Sequence, residues 1–181
     1  MSNLTVSKRQ RQKFIGGSLA VLVAIVIAVV SAGGGGDLAS PNTNDEAAFD
    51  AEFELFDGGV SSFSAFRGKP LVLNFWASWC PACVGELPDF QAIHEIVGDD
   101  VTFIGMANAD ARGPAVELAD EIGLTYTLAD DPQGELFRSL GLFAMPSTVF
   151  ITADGQIHDV FGGQLTDDAL LERINELKAA S

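Results

Sequence analysis

Cysteine and positive charge are both scarce in this chain. Two cysteines, Cys80 and Cys83, occur in 181 residues. So few exclude a disulfide-stapled scaffold and any four-cysteine zinc site. Ten Lys and Arg stand against 25 Asp and Glu, a formal net charge of −15. Four of the ten (Lys8, Arg9, Arg11, Lys13) lie in the first thirteen positions, which hold no acid, so the remainder is more acidic still. A phosphate backbone is repelled by such a surface, which argues against a nucleic-acid partner. Apolar residues are not scarce: 48% of the chain is hydrophobic, with thirteen Phe, enough to bury a core. A disordered acidic tail is thereby excluded. The length suits one ordinary domain and an additional segment.

That segment is at the N-terminus. Phe14 to Ala32 runs nineteen residues without a charge, and the next charge after Lys13 is Asp37. As a helix the run rises roughly 28 Å, close to the hydrocarbon thickness of a bilayer. The basic cluster before it predicts a cytoplasmic N-terminus and export of everything that follows. The run exceeds a usual signal-peptide core, which favours a single-span anchor over residues 14–33; cleavage after Val30-Ser31-Ala32 is the alternative. With no cysteine near residue 33, a lipid-modified cysteine anchor is excluded. Four glycines and a polar stretch then predict a flexible linker over residues 34–52, leaving 53–181 as the folded domain and 1–13 as a cytoplasmic segment.

Along the domain, strand-like and helix-like stretches alternate. Phe53–Phe56 reads as a short strand, and Pro70–Ala77 as a strand buried on both faces. Pro81 to Val97 places Val84, Leu87, Phe90, Ile93 and Ile96/Val97 on one helical stripe. Val101–Ala107 is a second buried strand, Pro114–Ile122 a helix closed by Gly123, and Tyr126–Leu128 a short strand. A helix from Gln133 to Leu140 precedes strands Ser147–Thr152 and Gln156–Phe161, joined by an Asp154-Gly155 turn. Thr166 caps a last helix carrying Leu170, Leu171, Ile174 and Leu177. The order predicts a central mixed sheet flanked by helices, an α/β fold.

Both cysteines fall where the first buried strand turns into a helix. Their i, i+3 spacing brings the two sulfurs together at the helix N-terminus, where the amides and dipole favour thiolate. Cys80, at the exposed lip, is the expected attacking sulfur, and Cys83 the resolving one. Pro81 suits the first helical position, where its missing N–H costs nothing.

Trp76-Ala77-Ser78-Trp79-Cys80-Pro81-Ala82-Cys83 resembles the active-site motif of the thioredoxin superfamily, and more narrowly of its TlpA/ResA/DsbE type. The resemblance extends from Phe53 to the C-terminus through Leu71–Trp76, Glu86-Leu87-Pro88 and Met145-Pro146-Ser147-Thr148. It implies a thioredoxin-like fold behind one transmembrane helix, and a redox-active Cys80–Cys83 disulfide. It also implies a cis Pro146 beside the dithiol, with the Met145 backbone pairing with substrate. Glu86 would shuttle the proton of Cys83; a solvated helix carboxylate is the plainer alternative. Asn74 stands where cytosolic thioredoxins carry a buried Asp, Pro88 is architectural, and Trp79 is an apolar wall beside the thiols while Trp76 is mostly core.

The activity implied is thiol–disulfide exchange outside the cytoplasm, without a cofactor. The expected substrate is a protein disulfide such as that of apocytochrome c before haem attachment. A membrane electron donor of the CcdA/DsbD kind and a monomeric state are expected with it. A disulfide-forming oxidase is the enzymatic alternative, and a metal- or haem-delivery chaperone the non-enzymatic one. Peroxidase chemistry is disfavoured because Ala77, not Thr, lies three residues before Cys80. Copper binding through His158 is disfavoured because the cysteines are spaced CxxC, and no metal site is expected.

Overall fold

The computed structural model describes residues 49–181. The anchor expected at 14–33, the segment 1–13 and most of the expected linker lie outside the described residues. Among the described residues, no helix is long and apolar enough to cross a membrane.

Seven strands form one mixed sheet: β1 (Glu52–Leu55), β2 (Val60–Ser62), β3 (Leu71–Trp76), β4 (Thr102–Asn108), β5 (Thr127–Asp131), β6 (Ser147–Ile151) and β7 (Ile157–Gly162), in spatial order β2-β1-β5-β4-β3-β6-β7. Pairs β3–β4 and β4–β5 are parallel and the remaining four antiparallel. Among the described residues, four α-helices of five or more residues accompany it: α1 (Pro81–Val97), α2 (Arg112–Ile122), α3 (Glu135–Ser139) and α4 (Asp167–Ala180).

All six residues of β3 are buried, because each face of this strand is covered by a different core. Leu71, Leu73 and Phe75 point into one core with Ile104, Met106, Val149 and Phe137. Val72 and Trp76 point the other way, towards α1, α2 and α4, with Phe90, Leu87, Ala115, Ala119 and Ile174. The parallel β3–β4 and β4–β5 connections run through α1 and α2, and their successive steps in one direction set both helices on the same face. The last helix forms as its cap suggests: Thr166 accepts from the Ala169 N–H at 3.4 Å, with Asp167 and Asp168 in the first turn.

Three features depart from the sequence reading. β2 has no apolar alternation and is held only by pairing with β1, so periodicity did not reveal it. Phe49 is buried against Phe63 at 6.0 Å between ring centroids, so the core begins upstream of Phe53, inside the stretch expected as linker. Helix α2 starts at Arg112, two residues before Pro114, which still lies in the first turn where a missing N–H breaks no helical bond.

Gly105 in β4 pairs with Asn74 and lies under crowded rings. A Cβ there meets Trp76 Nε1 and Tyr126 Cε2 at 3.0 Å and Leu128 Cδ2 at 2.9 Å. Gly105→Ala is therefore expected to destabilise the domain by about 1–3 kcal/mol, seen as a lowered urea midpoint with unchanged slope. An unaltered midpoint would show that the rings yield freely.

Candidate functional site

Strand β3 delivers Trp76 to the top of the sheet, and a short turn through Ala77-Ser78-Trp79 leads into α1. Cys80 is the N-cap of α1, in extended conformation at φ −99° and ψ 104°, and its sulfur accepts from the Cys83 N–H at 3.3 Å. Pro81 occupies the first helical position. Cys80 and Cys83 are joined as a disulfide with their Cα atoms 5.2 Å apart. Cys80 is 6% exposed and Cys83 not at all, so Cys80 is the sulfur nearer solvent.

One turn further along α1, the Glu86 carboxyl is fully buried. Oε1 accepts from Asn74 Nδ2 at 2.8 Å, and Oε2 from the Leu165 N–H at 2.9 Å. Asn74 also donates to Thr148 Oγ1 at 3.2 Å, which ties β3 to β6 beneath the helix. The Gln164 side chain lies over Gly85, with its Nε2 3.0 Å from where a Cβ would stand. Burial pushes the Glu86 pKa up from 4.5 to about 7; the Leu165 and Asn74 hydrogen bonds oppose the rise, and the Asp89 charge adds to it. The solvated-carboxylate alternative for Glu86 therefore does not hold.

The Met145–Pro146 bond is cis. Pro146 is buried, and half-buried Met145 packs against the cluster that contains Cys80, Cys83 and Trp76. The Met145 sulfur accepts from Asn108 Nδ2 at 3.4 Å. Trp79 is 59% exposed, and Phe143, two residues before Met145, is 95% exposed. Cys80, Cys83, Glu86, Trp79, Met145 and Pro146 thus gather where the carboxyl end of β3 meets the start of β6.

The histidines lie elsewhere. His94 packs its ring on Phe103 and Tyr126, at 5.3 and 5.6 Å between centroids, and His158 is exposed on β7. Among the described residues, no three His, Cys, Asp or Glu side chains are grouped to hold a metal. Several participants escaped the sequence reading. Asn108 ends β4 as an ordinary polar residue would, and the Leu165 contact is a backbone amide 79 positions from Glu86, which leaves no side-chain signature.

Comparison with known proteins places this geometry. The model of the Redoxin family matches residues 42–177. The chain belongs to the Redoxin family. Thiol-disulfide oxidoreductase ResA of Oceanobacillus iheyensis is 29% identical over 183 residues, covering 97% of this chain and 94% of the relative. The thiol:disulfide interchange protein DsbE of Vibrio cholerae is 36% identical over 111 residues, 59% of each chain. Among solved structures, DsbF of MTB, determined in mixed oxidized and reduced forms, superposes with a TM-score of 0.68 at 30% identity, over 72% of this chain and 97% of that one. This Redoxin is accordingly a thioredoxin-superfamily protein of the TlpA/ResA/DsbE kind, a thiol–disulfide oxidoreductase with a Cys-X-X-Cys pair.

The buried carboxyl makes stability of this Redoxin depend on pH. Unfolded, Glu86 loses its proton near 4.5; folded, near 7. Between those values the native state binds the proton more tightly, so stability falls as pH rises through the window. The loss totals about 3 kcal/mol at about 1.4 kcal/mol per pKa unit, and is complete above the folded value. Glu86→Gln keeps an acceptor for Leu165, and a flipped Asn74 can accept from the new amide. It should therefore be more stable than the parent at pH 8, by an amount approaching that figure. Urea titrations across pH should show the advantage shrinking towards pH 4.5; a constant difference would refute the assignment.

Proposed function

We propose that this Redoxin is a membrane-anchored, extracytoplasmic reductant of protein disulfides, acting on substrates such as apocytochrome c before haem attachment. The observation that carries the reading is the pairing of a solvent-facing Cys80 with a buried Cys83 and a buried Glu86 one turn beyond it. The charge-free run at residues 14–32 behind a basic N-terminus supports export, and the ResA and DsbE relatives support the substrate class.

In the reduced enzyme, the Cys80 thiolate attacks one sulfur of the substrate disulfide. The S–S bond breaks, the substrate's other sulfur leaves as thiolate, and a mixed disulfide forms between Cys80 and the substrate. Glu86 then takes the proton from the Cys83 thiol, a transfer that a carboxyl titrating near neutrality performs with little driving-force penalty. The Cys83 thiolate attacks the Cys80 sulfur, which closes the Cys80–Cys83 disulfide and expels the substrate's second thiolate; protons from Glu86 and from solvent complete the substrate dithiol. Two electrons have passed to the substrate, and a membrane dithiol donor of the CcdA/DsbD kind returns them. With buried Pro146 shaping the turn behind them, exposed Trp79 and half-buried Met145 form the surface that meets the substrate chain. Its backbone lies along Met145 in the manner of an added strand.

Cys83→Ala is expected to accumulate covalent mixed disulfides in the exported compartment and Cys80→Ala none, as read on non-reducing gels with mass spectrometry of the partner. Equal accumulation in both would reverse the assignment of roles. A c-type apocytochrome as the trapped partner would identify the pathway. With Glu86→Gln, the pH dependence of exchange near pH 7 should flatten while the fold persists; an unchanged profile would remove Glu86 from the reaction.

A further inference from the structure

Trp79 is an exposed aromatic ring that is nevertheless fastened. Its indole Nε1–H donates to the Ala109 carbonyl at 3.1 Å. Ala109 has φ +50°, the one non-glycine residue in the left-handed region among the described residues. That conformation is unfavourable for an L-residue and persists only where neighbours enforce it. Here they do: the Ala109 N–H donates to the Asp131 carbonyl at 2.9 Å, so the peptide is held on both sides. The next residue grips the same loop again. Asp110 Oδ2 accepts from the Ser78 N–H at 2.5 Å, and Oδ1 accepts from Ser78 Oγ at 3.0 Å and from the Ala111 N–H at 2.8 Å. Three hydrogen bonds thus run from the β4–α2 turn to Ser78 and Trp79, the two residues immediately before Cys80.

These bonds bury little apolar surface, since Trp79 stays 59% exposed. What they supply is order. A free surface indole would lose rotamer entropy on meeting a partner, and a tethered one has lost it already. The bonds also fix the backbone that enters the dithiol, where small displacements change reactivity steeply.

We propose that the Ala109–Asp110 turn is a positioning device for the polypeptide substrate. It holds the Trp79 ring as a rigid wall next to Cys80 and locks the approach of the chain to the attacking sulfur, with Asp110 as the positioning residue. The inference rests on the proposed reading of the site as a reductant of protein disulfides.

The test compares parent, Asp110→Ala, Asp110→Asn and Trp79→Phe, each reduced beforehand, with insulin as the protein disulfide and hydroxyethyl disulfide as the small one. Asp110→Ala should raise KM for insulin on the order of tenfold, with kcat and turnover of the small disulfide changed by smaller factors. Trp79→Phe, which keeps an aromatic face but has no indole N–H, should shift KM in the same direction. Asp110→Asn retains an oxygen acceptor for the Ser78 N–H and should recover most of the loss. Independently of any substrate, nitrogen-15 NMR of Asp110→Ala should show faster solvent exchange of the Trp79 indole proton.

Unchanged indole exchange in Asp110→Ala would overturn the tether. Faster exchange with an unchanged insulin KM would overturn its link to substrate, and equal losses on both disulfides would place the effect in the thiol chemistry instead. Parent turnover of insulin checks the reductant reading by itself, whereas the turn's role is read from variant-to-parent ratios and from exchange.

Discussion

Everything in the site hangs on β3 being buried on both faces. A strand with Leu71, Leu73 and Phe75 in one core and Val72 and Trp76 in the other has no solvated side to accommodate a change of register. Its carboxyl end is therefore a fixed point. The chain must leave the sheet there, and Pro81 at the first position of α1 makes the exit immediate. The cysteines inherit their placement from that exit: one caps the helix and the other lies in its first turn. The same constraint brings β6 alongside in antiparallel register, Phe75 opposite Ser147, with the cis Met145–Pro146 bond just ahead of it and Met145 packed against the cluster that contains both cysteines.

Burial on both faces also creates the site's main cost. Asn74 faces α1 from the middle of β3, and a polar side chain there requires a partner. Glu86 and Thr148 accept from its Nδ2, and the Leu165 amide donates to the other oxygen of Glu86. Asn74 and Leu165 both donate to the carboxylate, yet neither is a cation, and desolvation outweighs them. A carboxyl that is held by donors but starved of water is left half-titrated near neutral pH. A salt-bridged acid would stay ionised there, and an acid in a wholly apolar pocket would stay protonated; neither exchanges a proton as readily. The arrangement sacrifices stability above about pH 7 for a group that can take up and release a proton.

How much of this could be read from the sequence follows from the range of the interactions. The continuous apolar run of β3, the CxxC at a strand-to-helix junction and the stripe of α1 are local patterns, and they placed the dithiol correctly. Glu86 was legible as a candidate because it lies on the same helix as Cys83. Its burial was expected from the resemblance and not from any local pattern, since the depth depends on the segment that carries the Leu165 amide, 79 positions away. Asp110 was invisible for a related reason. An Asp after a strand reads as a turn residue, and nothing local shows that its carboxylate reaches Ser78, 32 positions earlier. Strand β2, with Val60-Ser61-Ser62, has no alternation to detect and exists only because β1 offers an edge.

The scarcity of positive charge also takes on structural meaning. After residue 13 the chain has six cations, and three of the arginines stack on phenylalanine rings: Arg67 over Phe49, Arg112 over Phe56 and Arg173 over Phe161, at 5.9, 5.5 and 4.5 Å. Two of these also pair with acids, Arg112 with Asp130 and Arg173 with Asp159. Such partly buried pairs still contribute only modestly one by one. Their placement is the informative part. Arg112 begins α2, donates to the Leu55 carbonyl at 2.6 Å and covers Phe56, whose ring in turn lies 6.4 Å from that of Trp76. A cation in an acidic surface thus joins β1, β5 and α2 on the flank of the dithiol. Because α2 follows directly from the turn that grips Ser78 and Trp79, this clamp supports the loop that carries Cys80. The few positive charges therefore act mainly at the seams of the domain, while the excess of acids is left to the solvent.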